Sequence, residues 1–461
     1  MRAYLATSIA VTCATALALP ISLATPAAAL PPGASAAPTA PPSMDPGARD
    51  TTSPAVTSEA DVAGSTQSLP LAPLGDGRRA IGGAGASGGA QGLTRRDVRP
   101  FSLVGVVWDD AQDHLHGTVQ VRTRATGSAE WSAWQDVEIH NDDHGADPGT
   151  PEAARGALRG ATAPLWVGDS DGVEVRVQPD RQDDIAAAVA EALPEGLRIE
   201  LVDPGPEPAA DPGPEPRAGL AHGARAVHRA PTVEEAAAAS VNAQLASVGT
   251  AAIPAAAAAK PYIGPRPKII TRKGWGADER LREKGFVYTK AVKAAFVHHS
   301  ATGNNYTCRQ APSVLRSIYR YHTQSSGWRD FGYNFAVDKC GNIYEGRAGG
   351  VAKPVHGAHT LGFNTNSMGI AVLGTYSSTT PPAAVVTAVA RLTAWKLGLH
   401  GVNPKGKTTL VSAGGKYKKG KKVKFNSIAG HRDGYSTACP GARLYGKLGT
   451  ARTASAKYQG R

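Results

Sequence analysis

Hydrophobic and polar positions change rhythm along the chain. Residues 101–108 are an apolar run, and Val119, Val121 and Thr123 alternate with polar neighbours, as do Val173, Val175 and Val177. A period of two marks strands with one buried face. Together with 131–139, 165–167, 172–178 and 197–202, these segments predict a small antiparallel all-β domain over 100–203, with one helix over 184–193. Beyond residue 265 the rhythm is mixed. Residues 294–298 form a short apolar run, and Val314, Leu315, Ile318, Tyr319 and Tyr321 recur near helical spacing over 312–324. Residues 333–338 and 342–345 flank Lys339, Cys340 and Gly341 as a hairpin, and 367–374 reads as a buried strand. A long amphipathic helix is predicted over 382–397, started by Pro381 and Pro382 and stopped by Gly398; a final helix follows over 442–451. The second domain, 265–461, is therefore predicted to be α/β, a mixed central sheet flanked by helices.

Two stretches carry no sustained period. Residues 30–99 are rich in Pro, Gly, Ala, Ser and Thr and are predicted to be disordered. Residues 204–264 read as a linker: Asp-Pro-Gly-Pro-Glu-Pro stands at Asp203 and again at Asp211, a stiff extended spacer, followed by an Ala-rich helical stretch over 232–246. The first 29 residues carry one ionised side chain, Arg2, an apolar stretch broken by Pro20, and Ala27, Ala28 and Ala29 at a small-residue cleavage pattern. They read as a secretory signal peptide. No other segment is apolar enough to span a membrane. The expected location is extracellular and associated with the cell wall.

Charge sharpens this division. The 461 residues hold 50 Lys+Arg and 38 Asp+Glu. Residues 1–264 carry 18 basic and 31 acidic side chains, net −13, whereas 265–461 carry 32 and 7, net +25. An acidic first part is joined to a basic second part suited to a polyanion. Export permits disulfides. Cys13 would leave with the signal, so Cys308, Cys340 and Cys439 remain; three is odd, and at most one internal bridge forms.

Metal chemistry needs softer donors. His298 ends an apolar strand, His431 follows a loop, and Cys439 lies eight residues beyond it, before Pro440 and Gly441. Two imidazoles and a thiolate are a set that zinc takes while keeping a fourth position for water. Spacing leaves the alternative open, namely a strand histidine, a loop histidine and a free cysteine.

The segment Phe296-Val-His-His-Ser-Ala301 resembles the opening motif of the type 2 N-acetylmuramoyl-L-alanine amidases, which share a fold with peptidoglycan recognition proteins. Further matches follow in order: Gly327-Trp-Arg-Asp-Phe-Gly-Tyr-Asn-Phe335, Gly341-Asn-Ile-Tyr-Glu-Gly-Arg347, Gly357-Ala-His-Thr-Leu-Gly-Phe-Asn364 with Ser367-Met-Gly369, then Gly430-His-Arg-Asp433 with Thr437-Ala-Cys-Pro440. The resemblance covers about 269–450. It implies zinc (Zn2+) held by His298, His431 and Cys439, with His299 structural because neighbouring strand residues face opposite ways. It implies Tyr333 and Thr437 as catalytic residues and His359, Thr360 and Asn364 as lining the substrate groove. With Cys439 assigned as a ligand by the resemblance, Cys308 and Cys340 are left to bridge.

The implied activity is zinc-dependent hydrolysis of the amide between N-acetylmuramic acid and L-alanine in bacterial peptidoglycan. The alternative is a recognition module of the same fold that binds without cutting; such members typically lack the cysteine ligand, which this chain has. A basic extracellular adhesin would account for the charge but not for the three ligands. The cluster at 416–424, with six lysines, reads as a hairpin insertion. It is either a solvated turn or a contact for anionic wall polymers; no nucleic-acid motif accompanies it. In the β domain, Trp131, Trp134 and Trp166 are expected in the core, with sugar stacking the alternative.

Overall fold

A computed structural model of the protein describes residues 63–75, 89–139, 143–180, 192–207 and 262–461. The signal-like segment, most of 30–99, all but the last two residues of the helix expected over 184–193 and almost all of the 204–264 linker lie outside the described residues. Among those described, no helix is long and apolar enough to cross a membrane.

The first sheet is antiparallel and eight-stranded. Its order is Ser65–Pro70, Arg198–Asp203, Gln91–Trp108, Leu165–Pro179, Gly117–Ala125 and Gln135–Val137, with Ala72–Pro73 and Gly160–Ala161 also paired to Gln91–Trp108. The all-β unit thus begins ahead of residue 100, inside the segment expected to be structureless. Ser65–Pro70 pairs in full register with Arg198–Asp203 at the sheet edge. It is half-exposed and lacks apolar alternation, so pattern reading passes over it. The strand expected over 131–139 shrinks to Gln135–Val137, with Trp131 making a single bridge to Arg124. Val119, Val121, Val173, Val175 and Val177 do turn to one face, joining Phe101, Val104, Val106, Ile199 and Leu201 in one core. Leu103 and Val107 face the other way into a second core. Burial on both faces explains why 101–108 is a continuous apolar run.

The second sheet is mixed, in the order Ile428–Gly430, Ala294–His299, Ser367–Val372, Phe335–Val337, Ile343–Glu345 and Ile269–Ile270. Ala294–His299 lies parallel to both neighbours, and Phe335–Val337 pairs antiparallel with Ile343–Glu345 as the expected hairpin. One face carries Ala295, Val297, Ile370, Val372, Phe335 and Val337 and is covered by the helices Ala383–Gly398 and Leu448–Tyr458. The expected final helix is split at Gly446 into Ala442–Tyr445 and Leu448–Tyr458. On the opposite face lie two separate clusters. One centres on the helix Ala311–Arg320 and the wider turn Tyr321–Ser325. The other packs Ala294, Phe296 and Phe363 under Leu410 and Phe425 of the hairpin Lys407–Val411 with Lys422–Asn426.

Cys308 and Cys340 form a disulfide that ties the entry of the helix to the hairpin after Tyr333. The β domain lies against that helix. Leu103, Val107, Ala161, Trp166 and Val202 share one core with Tyr306, Val314, Leu315, Ile318 and Tyr321. A Cβ at Gly105 would fall on the Tyr321 hydroxyl, so only glycine lets the ring lie this close. That hydroxyl donates to Thr162 O at 3.1 Å. Trp166 is thus a core residue, as expected, while Trp131 and Trp134 are half-buried under Arg95, Arg122 and Arg176.

Candidate functional site

Alternation along Ala294–His299 decides which histidine serves the site. Ala294 and Phe296 face the hairpin cluster, and His298 continues that face. His299 is on the other face, where its Nδ1 accepts the Tyr376 N–H at 3.3 Å. His431 begins immediately after Ile428–Gly430, the strand parallel to Ala294–His299. Two histidines therefore stand near the carboxyl ends of adjacent parallel strands, where α/β sheets place their sites. Cys439 is buried, and its Sγ lies 3.8 Å from His298 Nδ1. The ring centroids of His298 and His431 are 4.4 Å apart.

A fourth side chain completes the group. His144, from the β domain, offers a ring nitrogen that lies with those of His298 and His431 and the Cys439 sulfur within 4.8 Å of one another. No sequence signal pointed to His144: it stands in a polar loop of another domain, more than 150 residues before its neighbours. Asp143 was missed for the same reason. Its carbonyl accepts from His431 Nε2 at 3.1 Å, and its carboxylate lies 3.7 Å from His431 Nδ1.

The polar atoms here are short of partners. His431 Nδ1 and His144 Nε2 are buried with no hydrogen-bond partner among the described residues. His144 Nδ1 lies 2.7 Å from Asp143 Oδ1, which holds that side of the ring. Buried groups left so are costly. Three imidazoles and one thiol, with a carboxylate beside them, could hold a metal ion, and zinc takes such donors.

Burial shapes the electrostatics. It pushes the pKa of His431 down to about 3 and that of His298 well below the ordinary imidazole value, so both rings are neutral donors. The Cys439 thiol is pushed well up by burial and then by the Asp143 charge; a thiolate here would need a cation beside it. Burial raises the Asp143 carboxyl, but His144 and His431 outweigh it and hold the group ionised. Tyr333 is buried beside His298, with ring centroids 5.2 Å apart, and burial raises its phenol well above the ordinary value.

The remaining expected residues occupy different shells. Thr360 Oγ1 lies 3.4 Å from His298 Nε2 and 3.0 Å from His359 Nδ1, a chain that orients the His298 ring from behind. The His359 ring packs on Gly369, where a Cβ would come within 2.4 Å of it. Asn364 Oδ1 accepts the N–H groups of His359 and Thr360, and its Nδ2 donates to Gly145 O and Asp147 Oδ1, both at 2.8 Å. His359, Thr360 and Asn364 are all fully buried. Thr437 is half-buried, its Oγ1 accepting the Cys439 N–H at 3.1 Å.

Comparison with known proteins agrees with both domains. Residues 288–442 match a family model described as N-acetylmuramoyl-L-alanine amidase, and residues 51–211 match one described as Rv3811 N-terminal galactose-binding domain-like. Peptidoglycan-recognition protein SC2 of Drosophila melanogaster is 32% identical over 184 residues, covering 40% of this chain and 85% of that protein. The chain belongs to the type 2 amidase and peptidoglycan recognition protein family. A human N-acetylmuramoyl-L-alanine amidase is 31% identical over 188 residues, 40% of this chain and 28% of that protein. Among solved structures, Drosophila PGRP-LB is 25% identical, with a TM-score of 0.32 over 40% of this chain and 93% of its own. For this member, the family match covers the amidase domain and leaves the β domain to a second model, whose span from residue 51 includes the edge strand Ser65–Pro70.

Proposed function

We propose that the protein is an exported zinc-dependent hydrolase that cleaves the amide bond between N-acetylmuramic acid and L-alanine in peptidoglycan. The observation that supports this most is the convergence of His298, His431 and Cys439 beside Tyr333 on one face of the sheet. A recognition module needs the groove but not a buried cysteine between two neutral imidazoles. When bound, zinc supplies a Lewis acid that activates water and polarises the scissile carbonyl.

The chain's own residues divide the remaining work. Thr360 fixes the rotation of the His298 ring, and the backbone carbonyl of Asp143 does the same for His431. The Tyr333 phenol is protonated throughout the neutral range and serves as a hydrogen-bond donor toward the developing oxyanion, not as a base. Thr437 holds the Cys439 backbone N–H and so sets the approach of its sulfur. The signal-like residues 1–29 and the disulfide Cys308–Cys340 fit an exported protein. The anionic wall is the polymer that suits a basic domain.

The test is mass spectrometry of purified peptidoglycan after incubation with zinc-loaded protein. Stem peptides beginning with L-alanine are expected, and Cys439→Ala should release none while remaining folded. Equal release by Cys439→Ala, or by protein stripped of metal, rules the mechanism out.

A further inference from the structure

The β domain does more than pack behind the site: residues 143–152 run across the front of it. Asp143 O accepts the Leu361 N–H at 3.0 Å as well as His431 Nε2. Asp147 Oδ1 accepts from the Gly362 N–H at 2.8 Å and from Asn364 Nδ2. Glu152 closes the segment with a buried, two-pronged ion pair to Arg347, both contacts at 2.8 Å. Its partners Leu361, Gly362 and Asn364 belong to the stretch read from the sequence as groove lining. The cavity left among Glu138, His144, His299, Tyr333 and Cys439 is about 10 Å³, room for one water at most. A larger cavity of about 440 Å³ on the outer side of the segment meets His144, but His298, His431 and Cys439 are at most 2% exposed, so a glycan–peptide strand does not touch them in this arrangement.

Donor number makes the same point. Catalytic zinc sites keep one coordination position free, whereas four protein donors close the site. Here three donors come from the amidase domain and the fourth, His144, from the β domain. Its Nδ1 lies 2.7 Å from Asp143 Oδ1, its Nε2 is buried with no hydrogen-bond partner among the described residues, and the ring is 4.5 Å from that of His431 and 5.3 Å from that of His298.

We infer that residues 143–152 are an inhibitory plug that caps the metal with His144 and fills the substrate groove, so that the enzyme is latent until the plug is displaced. The inference rests on the zinc reading of the site. Pro148, Gly149 and Pro151 face solvent, which gives a displacing agent its access to the plug.

Cobalt substitution in the full-length protein tests this without relying on turnover, because the visible spectrum of Co2+ reports donor number and open positions. The wild-type spectrum should not respond to azide, whereas His144→Ala should respond. Asp147→Ala keeps all four donors and loosens the plug from outside the cluster, so it serves if His144→Ala folds poorly; it should respond too. Muropeptide hydrolysis by both variants should rise about tenfold or more, as expected when a closed state dominates the population. A wild-type spectrum that answers azide as readily as that of His144→Ala, or equal hydrolysis by all three proteins, overturns the plug. Failure of the wild-type protein to bind Co2+ or Zn2+ removes the zinc reading itself, and the plug with it.

Discussion

The β domain meets the amidase domain along two surfaces of opposite chemistry. Behind the site, Leu103, Val107, Trp166 and Val202 share a dry core with the helix Ala311–Arg320. In front of it, Asp143, His144, Asp147 and Glu152 make polar contacts to loops and to the histidine–cysteine cluster. An apolar seam is non-directional and holds whatever the protonation state of its neighbours. A charged and hydrogen-bonded contact depends on every partner being present, and losing one leaves the other stranded. The difference suggests a division of labour: the seam keeps the domains together while the front contact is able to open.

The largest effect is expected at the foot of the front contact. Glu152→Gln leaves the Arg347 guanidinium buried without its carboxylate and should cost about 3–5 kcal/mol in urea unfolding. The double change Glu152→Met with Arg347→Met should recover most of that. Burial alone would raise the Glu152 carboxyl, but Arg347 outweighs it and lowers its pKa. The folded value is thus below the unfolded one, so this stabilisation is complete above the ordinary carboxylate range and is lost as pH falls through the folded value. Wild-type protein should therefore lose stability in acid more steeply than the double variant. Parallel acid curves would mean the front contact is not held by charge.

Next comes the disulfide, which joins the element carrying the seam to the hairpin beside Tyr333. Its sequence separation is 32 residues. The chain-entropy model gives about 3–4 kcal/mol for closing such a loop. Cys308→Ala with Cys340→Ala should lower the unfolding midpoint accordingly yet leave the cobalt spectrum insensitive to azide. A spectrum that opens in this variant would show that the two surfaces are coupled through the bridge. On the seam itself, Tyr321→Phe removes a buried hydroxyl that donates to Thr162 O and should cost about 1 kcal/mol. That cost should not vary with pH between neutrality and the acid range, and a marked dependence would erase the contrast between the surfaces.

What the sequence disclosed follows from where each signal resides. The valines at 119, 121, 173, 175 and 177 sit on strands with one core-facing side, so period two reported them. His298, His431 and Cys439 lie in segments whose neighbours form ordered motifs, and the resemblance assembled them across 141 residues of chain. Ser65–Pro70 left no periodic trace because it is a half-exposed edge strand. His144 and Asp143 left none because their partners are in another domain; their meaning arises only when the seam positions that loop over the sheet. His359, Thr360 and Asn364 were read as groove lining; all three are buried here, His359 on Gly369 and Phe296 and Asn364 under its hydrogen bonds to Gly145 and Asp147.

The smallest effect on stability, and the one that separates binding from closure, concerns the lysines of the hairpin. Lys416, Lys418, Lys419, Lys421, Lys422 and Lys424 are all exposed around Lys407–Val411 and Lys422–Asn426. The loop they occupy touches the outer side of the plug, where a Cβ at Gly414 would lie 3.3 Å from Pro148. Replacing Lys418, Lys419, Lys421 and Lys422 with Gln spares Lys416, which donates to the carbonyls of Arg432 and Tyr435. Surface changes of this kind stay within about 0.5 kcal/mol. Binding to cell-wall sacculi carrying anionic polymer should nevertheless weaken, and its dependence on salt should flatten, because exposed charges act through screened, long-range attraction. If the wall is also what displaces the plug, activation by sacculi should fall in parallel with binding, while His144→Ala carrying the same four changes should stay active on soluble muropeptides. Unchanged binding and salt dependence would leave the lysines a solvated turn and assign the wall contact to the groove alone.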